Sequence, residues 1–202
     1  MTLDKKKANL YFLFKGLFYA SAAILSYALI FTISNPAVFI LNFILFGFIA
    51  VLMGFNFAHD LSHNSIFKRP FWDNMLFEFI YTLVGAHPEA WKKRHINSHH
   101  FAPNVEKFDT DLAITGLIRV SPSGNKKWYH KYQYLYAPVA YMSYSFYWVL
   151  LKDFLVLGEF APESTWQKVR YYLTFVVLKS FYFGYILVLP IYFSQQSIWV
   201  IF

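Results

Sequence analysis

Long apolar runs separated by short polar breaks make up most of this chain. The runs at 9–33 and 37–58 each reach or exceed the roughly 20 residues that a helix needs to cross a bilayer. An uncharged turn at 34–36 separates them, so we interpret the two runs as a helical hairpin whose ends face the same side. A third run at 172–193 predicts another span, and a truncated span begins at Ile198.

Two shorter apolar stretches do not fit a simple span. The stretch from Asn74 to Gly85 is too short, which predicts a helix in the interface or against the spans. The stretch from Tyr134 to Leu151 is borderline in length and rich in tyrosine, which favours the headgroup level, so we interpret it as interfacial rather than spanning. The predicted fold class is all-α and membrane-integral: a transmembrane helical hairpin, a helical cap and the start of a second hairpin.

The composition changes the interpretation of the charge. Hydrophobic residues make up 57% of the chain and charged residues only 14%, against about 25% charged in soluble domains. A net charge of +7 would suggest nucleic acid only if the apolar runs were ignored. Ten of the eighteen Lys and Arg residues lie between His59 and Gln133, and three more precede the first span. Cytoplasmic segments carry this excess, so we predict that both regions are cytoplasmic and that no nucleic acid binds.

The chain contains no cysteine, which narrows the chemistry that it can carry. Disulfides, thiolate-ligated haem, iron–sulfur clusters and Cys-type zinc sites are excluded within it. It also lacks the G-x-G-x-x-G pattern of a flavin or nicotinamide domain. We therefore expect any redox chemistry to draw its electrons from a separate protein.

Five of the seven histidines fall in two clusters beside the apolar runs. We call His59 and His63 box one, and His95, His99 and His100 box two. Residues at i and i+4 of a helix share a face, so His59 with His63, and His95 with His99, are spaced to bind one metal ion. His100 lies about 100° further round and would reach a second ion. Neutral imidazole is the commonest protein ligand for transition metals, so we predict a multi-metal site.

Polar residues near the boxes have structural as well as functional interpretations. Asp60 either orients a box-one imidazole or stays in solvent, and it does not supply the Glu of a zinc protease motif. Asn104, Asp109 and Asp111 either bond to the ligands or cap the next helix.

The two remaining histidines and one tryptophan are weaker candidates. His87 precedes a proline in a turn, where a structural hydrogen bond is the expected role. His130 has no partner at ligand spacing. Trp91 either lines an acyl channel or packs against the spans.

The two boxes together resemble the first two histidine boxes of the membrane fatty acid desaturases. The resemblance is greatest to bacterial acyl-CoA or acyl-lipid desaturases of the front-end, linoleoyl-CoA-desaturase-like branch. It extends to the Trp-Lys-Lys-Arg sequence at 91–94, to Asn104 and the Asp109-x-Asp111 pair, and to the segment 130–138.

The resemblance implies a di-iron centre held by histidines, which activates dioxygen and removes two hydrogens from a fatty acyl chain. It further implies an acyl-CoA or phospholipid substrate, a ferredoxin or cytochrome b5-type electron donor, and a place in a membrane, for a bacterium the inner membrane. The family's third box, of Q-x-x-H-H form, is absent. We therefore expect this chain to be an N-terminal fragment of a desaturase that is inactive by itself.

Two alternatives stay open at this point. The boxes alone do not separate a desaturase from a related di-iron hydroxylase or ketolase. A protein of another class, a non-catalytic membrane protein that binds zinc or haem through paired histidines, would show the same spacing. Iron content distinguishes the last of these from an enzyme.

Overall fold

The computed structural model describes residues 5–105, 108–109, 116–121 and 124–201, and these residues form helices and loops without a strand. The all-α prediction is confirmed for them. The α-helices are α1 (Lys5–Ile30), α2 (Pro36–Met53), α3 (His59–Ser62), α4 (Pro70–Val84), α5 (Pro88–Arg94), α6 (Gln133–Tyr147), α7 (Asp153–Val156), α8 (Thr165–Phe183), α9 (Leu189–Phe193) and α10 (Ile198–Ile201).

Among the described residues, four turns of π-helix and two of 3₁₀-helix join or extend these helices. The π-helical turns are Gly54–Ala58, His95–His99, Trp148–Lys152 and Gly184–Val188, and the 3₁₀ turns are Trp128–Tyr132 and Leu157–Phe160. The described chain forms two compact units. The first unit is Met1–Gly85 with Thr174–Phe202, and the second unit is Ala86–Leu173.

Three helical stretches of the described residues are long and apolar enough to cross a membrane: Leu10–Ile30, Pro36–Ser62 and Thr165–Phe193. The third stretch begins at Thr165, seven residues before the start of the span that the sequence predicted at 172–193. Its first turns carry exposed Lys168 and Arg170, because a helix can begin outside the bilayer while hydropathy marks only the part inside. Most apolar side chains on these stretches are exposed, as expected for lipid-facing surfaces.

In the first unit, α1 and α2 pack as a hairpin. Asn35 caps α2 by accepting hydrogen bonds from the backbone N–H groups of residues 37 and 38, and proline occupies the first helical position. Ile30, Phe39 and Phe46 form the buried centre of the contact. A polar pair crosses it, since the Asn42 amide donates to the Ser26 carbonyl at 2.9 Å. Such pairs satisfy polar groups that would otherwise face hydrocarbon.

The end of α4 is also fixed within the first unit. Gly85 closes the helix with φ = +84°, a conformation that glycine adopts without steric cost. Lys179 of α8, only 6% exposed, donates to the Gly85 carbonyl at 2.6 Å. The Tyr185 hydroxyl donates to the carbonyl of Leu83. The carbonyls of Leu83 and Gly85 at the end of α4 are therefore satisfied by side chains of the third span.

Candidate metal centre

Box one follows a π-helical turn at the end of the second span. The N–H of His59 donates to the Gly54 carbonyl, five residues earlier, and regular α-helix resumes from His59 to Ser62. The rings of His59 and His63 then lie 5.0 Å apart between centroids, and they offer nitrogens within 4.8 Å of each other. Both side chains are at least partly exposed. The i,i+4 pairing expected for box one is present.

A carboxylate and an ammonium group lie beside box one. Asp60 Oδ1 is 3.7 Å from Nδ1 of His59, and Asp60 Oδ2 is 3.3 Å from the Nζ atom of Lys15. The Asp60 side chain is 44% exposed. Lys15 lies near the start of the first span, and nothing in its sequence position connects it with box one. The fold therefore adds a cation to this site that the sequence pattern did not indicate.

Box two lies on a π-helical turn. The N–H of His100 donates to the His95 carbonyl at 3.0 Å, an i→i+5 bond. This wider turn places Nε2 of His95 only 2.9 Å from Nε2 of His100, with ring centroids 4.5 Å apart. The His95 and His99 rings are 5.4 Å apart. The α-helical pairing of His95 with His99 was the expectation, and the π turn replaces it with His95 and His100.

The third histidine of box two is held by a buried carboxylate. Oδ2 of Asp109 lies 3.0 Å from Nδ1 of His99 and accepts the Asn104 N–H at 2.8 Å. The Asp109 side chain is 1% exposed. Asn104 has φ = +61°, a conformation that asparagine tolerates better than most residues, and this orients its N–H in the loop. Asp111 lies outside the described residues.

A carboxylate only accepts hydrogen bonds, so the contact with Asp109 places the proton of His99 on Nδ1. In a neutral ring with its proton on Nδ1, the lone pair is on Nε2. Histidines that ligate metals commonly donate their other ring N–H to a carboxylate in this way. Asp109, one of the sequence candidates, is thus placed to orient a box-two imidazole.

The helix that leads into box two is anchored by buried groups. His87 caps α5 through Nδ1, which accepts the Ala90 N–H at 3.3 Å. Its own backbone N–H donates to Asp153 Oδ2 at 3.0 Å, and the Trp148 indole donates to Oδ1 at 2.7 Å. Burial lowers the pKa of His87, and the nearby Asp153 carboxylate opposes that shift. His87 has the structural role expected from its turn.

Trp91 and His130 also have defined contacts. Trp91 stacks on the His95 ring at 4.4 Å and is 6% exposed, so it fixes the plane of a box-two imidazole. His130 accepts the Lys127 N–H at Nδ1 and places Nε2 3.1 Å from the Gly116 carbonyl. Backbone groups thus engage both nitrogens of His130, and neither is available to a metal ion in this arrangement.

Comparison of the sequence with known proteins shows which family the chain is similar to. The sequence profile described as "Fatty acid desaturase" matches residues 34–202, which include both boxes. The sn-1 linoleoyl-lipid 6-desaturase of Arthrospira platensis is 29% identical over 158 residues, covering 75% of this chain and 42% of that protein. The acyl-lipid (8-3)-desaturase of Physcomitrium patens is 30% identical over 189 residues, covering 91% of this chain and 39% of that protein. No solved structure matches the chain. This chain thus spans about two fifths of the length of these two curated relatives.

Proposed function

This chain belongs to the fatty acid desaturase family, and we propose that its histidines contribute to a di-iron centre that desaturates a fatty acyl chain with dioxygen. The observation that carries the proposal is the 2.9 Å separation of the two Nε2 atoms in box two. Two imidazole nitrogens bound to one ion at about 2.1 Å, at a right angle, stand about 3 Å apart. The donor set therefore fits a first-row transition metal.

All five box histidines are candidate ligands. Box one offers the imidazoles of His59 and His63, and box two offers those of His95, His99 and His100. Imidazole donors suit iron, zinc and copper alike, and the family favours iron among them. Bound iron would supply the dioxygen chemistry that removal of hydrogen from an unactivated acyl chain requires.

The residues around the boxes prepare the ligands for this role. Asp109 keeps the His99 proton on Nδ1 and so presents Nε2. Trp91 holds the His95 ring by stacking. Asp60 faces Nδ1 of His59 from 3.7 Å and is shared with Lys15, which makes it a weaker orienting group. We propose that Asn104 acts indirectly, by fixing Asp109 through its N–H.

The proposed substrate and electron donor are supported by the names of the relatives and by the composition of the chain. The two relatives described above are named for linoleoyl-lipid and acyl-lipid substrates, which favours an acyl chain carried on a membrane lipid over a soluble carrier. A ferredoxin or cytochrome b5-type donor would supply electrons, and residues 1–202 themselves contain neither the cysteines of an iron–sulfur cluster nor a dinucleotide fingerprint. The excess of Lys and Arg from His59 to Gln133 supports a cytoplasmic position for both boxes.

The test combines product and metal analysis of the complete gene product. Expressed with an electron donor in a desaturase-deficient host, it should yield a new unsaturated fatty acid, seen by gas chromatography and mass spectrometry. The purified protein should contain iron. His63→Ala and His100→Ala should remove both signals, whereas His130→Gln should retain iron because backbone groups already engage the His130 nitrogens.

Other outcomes would replace this proposal. A hydroxylated fatty acid with bound iron would indicate a hydroxylase. Zinc, or a haem absorbance band, in place of iron would indicate a non-catalytic metal-binding protein. Iron that survives the loss of His63 and of His100 would move the metal centre away from the boxes.

A further inference from the structure

One long helix of the second unit has many large apolar side chains exposed on its surface. The aromatic helix, residues 133–156, consists of α6, the π-helical turn Trp148–Lys152 and α7 in unbroken succession. At 1.5 Å per residue it is about 36 Å long, enough to cross a bilayer. It is nevertheless not among the three stretches of the described chain whose composition suits a span.

The two ends of the aromatic helix differ in burial. No residue of α6 is buried, whereas Lys152 and Asp153 near its end are 6% and 5% exposed and point inwards. One stripe, at helical steps of three and four, carries large apolar side chains that are between 51% and 77% exposed: Leu135, Val139, Met142, Phe146 and Leu150. An exposed apolar surface of this kind marks a protein or membrane contact.

The beginning of the aromatic helix is fixed to the loop before it. The Gln133 side chain accepts the Arg119 N–H at 3.1 Å and donates to the Arg119 carbonyl at 3.3 Å. The Tyr136 hydroxyl donates to the Leu117 carbonyl at 2.9 Å. This end of the helix therefore lies against residues 117–119.

The other end of the aromatic helix is fixed to the box-two helix. Asp153 accepts the His87 N–H, and the Arg94 guanidinium lies 5.4 Å from the centre of the Trp148 ring. Both anchoring segments belong to residues 86–125, which are rich in charge and contain no apolar run near 20 residues. Because such a segment does not cross a bilayer, both ends of the helix lie on the same side.

The residues that lead into the aromatic helix suit a lipid headgroup layer. Lys126, Lys127 and Lys131 are exposed, and Trp128 is 77% exposed. The Nζ atom of Lys131 lies 4.7 Å from the centre of the Tyr132 ring. Tryptophan and tyrosine concentrate at the membrane interface, and clustered lysines attract anionic lipids.

We propose that the aromatic helix lies in the plane of the membrane as a second, non-spanning anchor. Its stripe of exposed apolar side chains enters the boundary between headgroups and acyl chains. The basic segment 126–131 binds anionic headgroups beside it. This anchor is independent of metal binding at the boxes, so it can stand or fall without the proposed desaturase activity.

Depth measurements on the 202-residue chain test the proposal directly, because these residues include no cysteine and every introduced thiol is unique. Leu135→Cys, Met142→Cys and Leu150→Cys would each be labelled with a fluorophore in bilayers that carry quenchers at shallow or deep lipid positions. We expect all three labels to be quenched best by the shallow lipids. Val177→Cys, 63% exposed near the middle of the third span, is the matched control and should be quenched best by the deep lipids.

Each other pattern overturns the in-plane anchor. Deep quenching at Met142→Cys with shallow quenching at both flanking sites would mean that the helix spans. Absence of quenching at all three sites, while Val177→Cys is quenched, would mean that a protein surface covers the stripe. That surface would be a second copy of the chain if labels on Met142→Cys quench each other.

A lipid comparison tests the basic segment. Adding phosphatidylglycerol to phosphatidylcholine bilayers should protect the Leu135→Cys label from aqueous acrylamide, a neutral quencher that the anionic surface does not repel. The triple variant Lys126→Glu, Lys127→Glu, Lys131→Glu should lose that protection, while Lys168→Glu should keep it. Equal protection in the triple variant would overturn the assignment of anionic headgroups to this segment.

Discussion

Boxes one and two contain the same i,i+4 histidine spacing in sequence but use it differently. In box one the π-helical turn ends before His59, and the α-helical pair His59 and His63 is kept. In box two the π turn contains the histidines, and His95 pairs with His100. Box two has a further histidine five positions after His95, whereas box one has Asn64 at the corresponding place. The π register of the backbone brings that additional histidine beside His95, because the hydrogen-bond register decides which side chains share a face.

The two boxes also differ in the carboxylate that accompanies them. Asp60 is adjacent to its histidine in sequence, but it is 44% exposed, 3.7 Å away and shared with Lys15. Asp109 is ten residues from His99, yet it is buried and lies at 3.0 Å. A buried, well-aligned acceptor orients an imidazole more strongly than an exposed one, because water competes less for it. We therefore expect box two to be the more rigid site.

The largest expected effect comes from breaking the His95–His100 pair. His100→Ala should lower the affinity of box two for Fe²⁺ by more than about 100-fold. That factor is the largest loss typical of residues that only orient a ligand, whereas His100 is a proposed ligand itself. His99→Ala should cost less at this ion, because the close Nε2 pair remains. Anaerobic equilibrium dialysis measures both affinities. A greater loss of affinity in His99→Ala would indicate that His95 and His99, and not His95 and His100, bind the ion together.

A smaller but clear effect is expected for the carboxylate of box two. Asp109→Ala should weaken metal binding by about 10- to 100-fold, since His99 loses the acceptor that fixes its tautomer. Asp109→Asn should recover part of the loss, because its amide oxygen can still accept from Nδ1. Changes in the visible spectrum of bound Co²⁺ report the ligand geometry.

Asp73→Ala is the matched control for that substitution. Asp73 is equally buried, and its carboxylate accepts the N–H groups of residues 66 and 67, so its loss affects stability without touching box two. If Asp73→Ala and Asp109→Ala weaken metal binding equally, Asp109 acts only through folding. A complete wild-type gene product that binds no metal would instead refute the proposed centre itself.

The features that sequence predicted best are those set by nearby residues. Long apolar runs predict membrane helices from composition alone, and the all-α fold is confirmed on that basis. The π turn of box two was not predicted, because nothing in the sequence at 95–99 distinguishes it from α-helix. Lys15 and Asp153 were missed for a related reason. They reach Asp60 and His87 across 45 and 66 positions, distances that no local pattern spans.

The carboxylate of box one should matter less than that of box two. Asp60→Ala is expected to weaken metal binding less than tenfold, below the range typical of buried orienting groups, because Asp60 is half-exposed and lies 3.7 Å from His59. Lys15→Gln should have a similar or smaller effect, since exposed ion pairs contribute little. The same dialysis assay measures both. Losses equal to that of Asp109→Ala would remove the distinction between the two sites.

The smallest effect concerns the anchor of box two and appears as a dependence on pH. Burial lowers the pKa of His87, so the folded chain resists a proton that the unfolded chain accepts below about pH 6.5. The free energy of unfolding should therefore fall as the pH drops below that value. His87→Asn retains an acceptor for the helix cap but does not titrate, so its stability should fall less between pH 7.5 and 5.5. Thermal unfolding of both proteins in the same detergent, at both pH values, measures the difference. Equal losses in the two proteins would show that folding does not lower the pKa of His87.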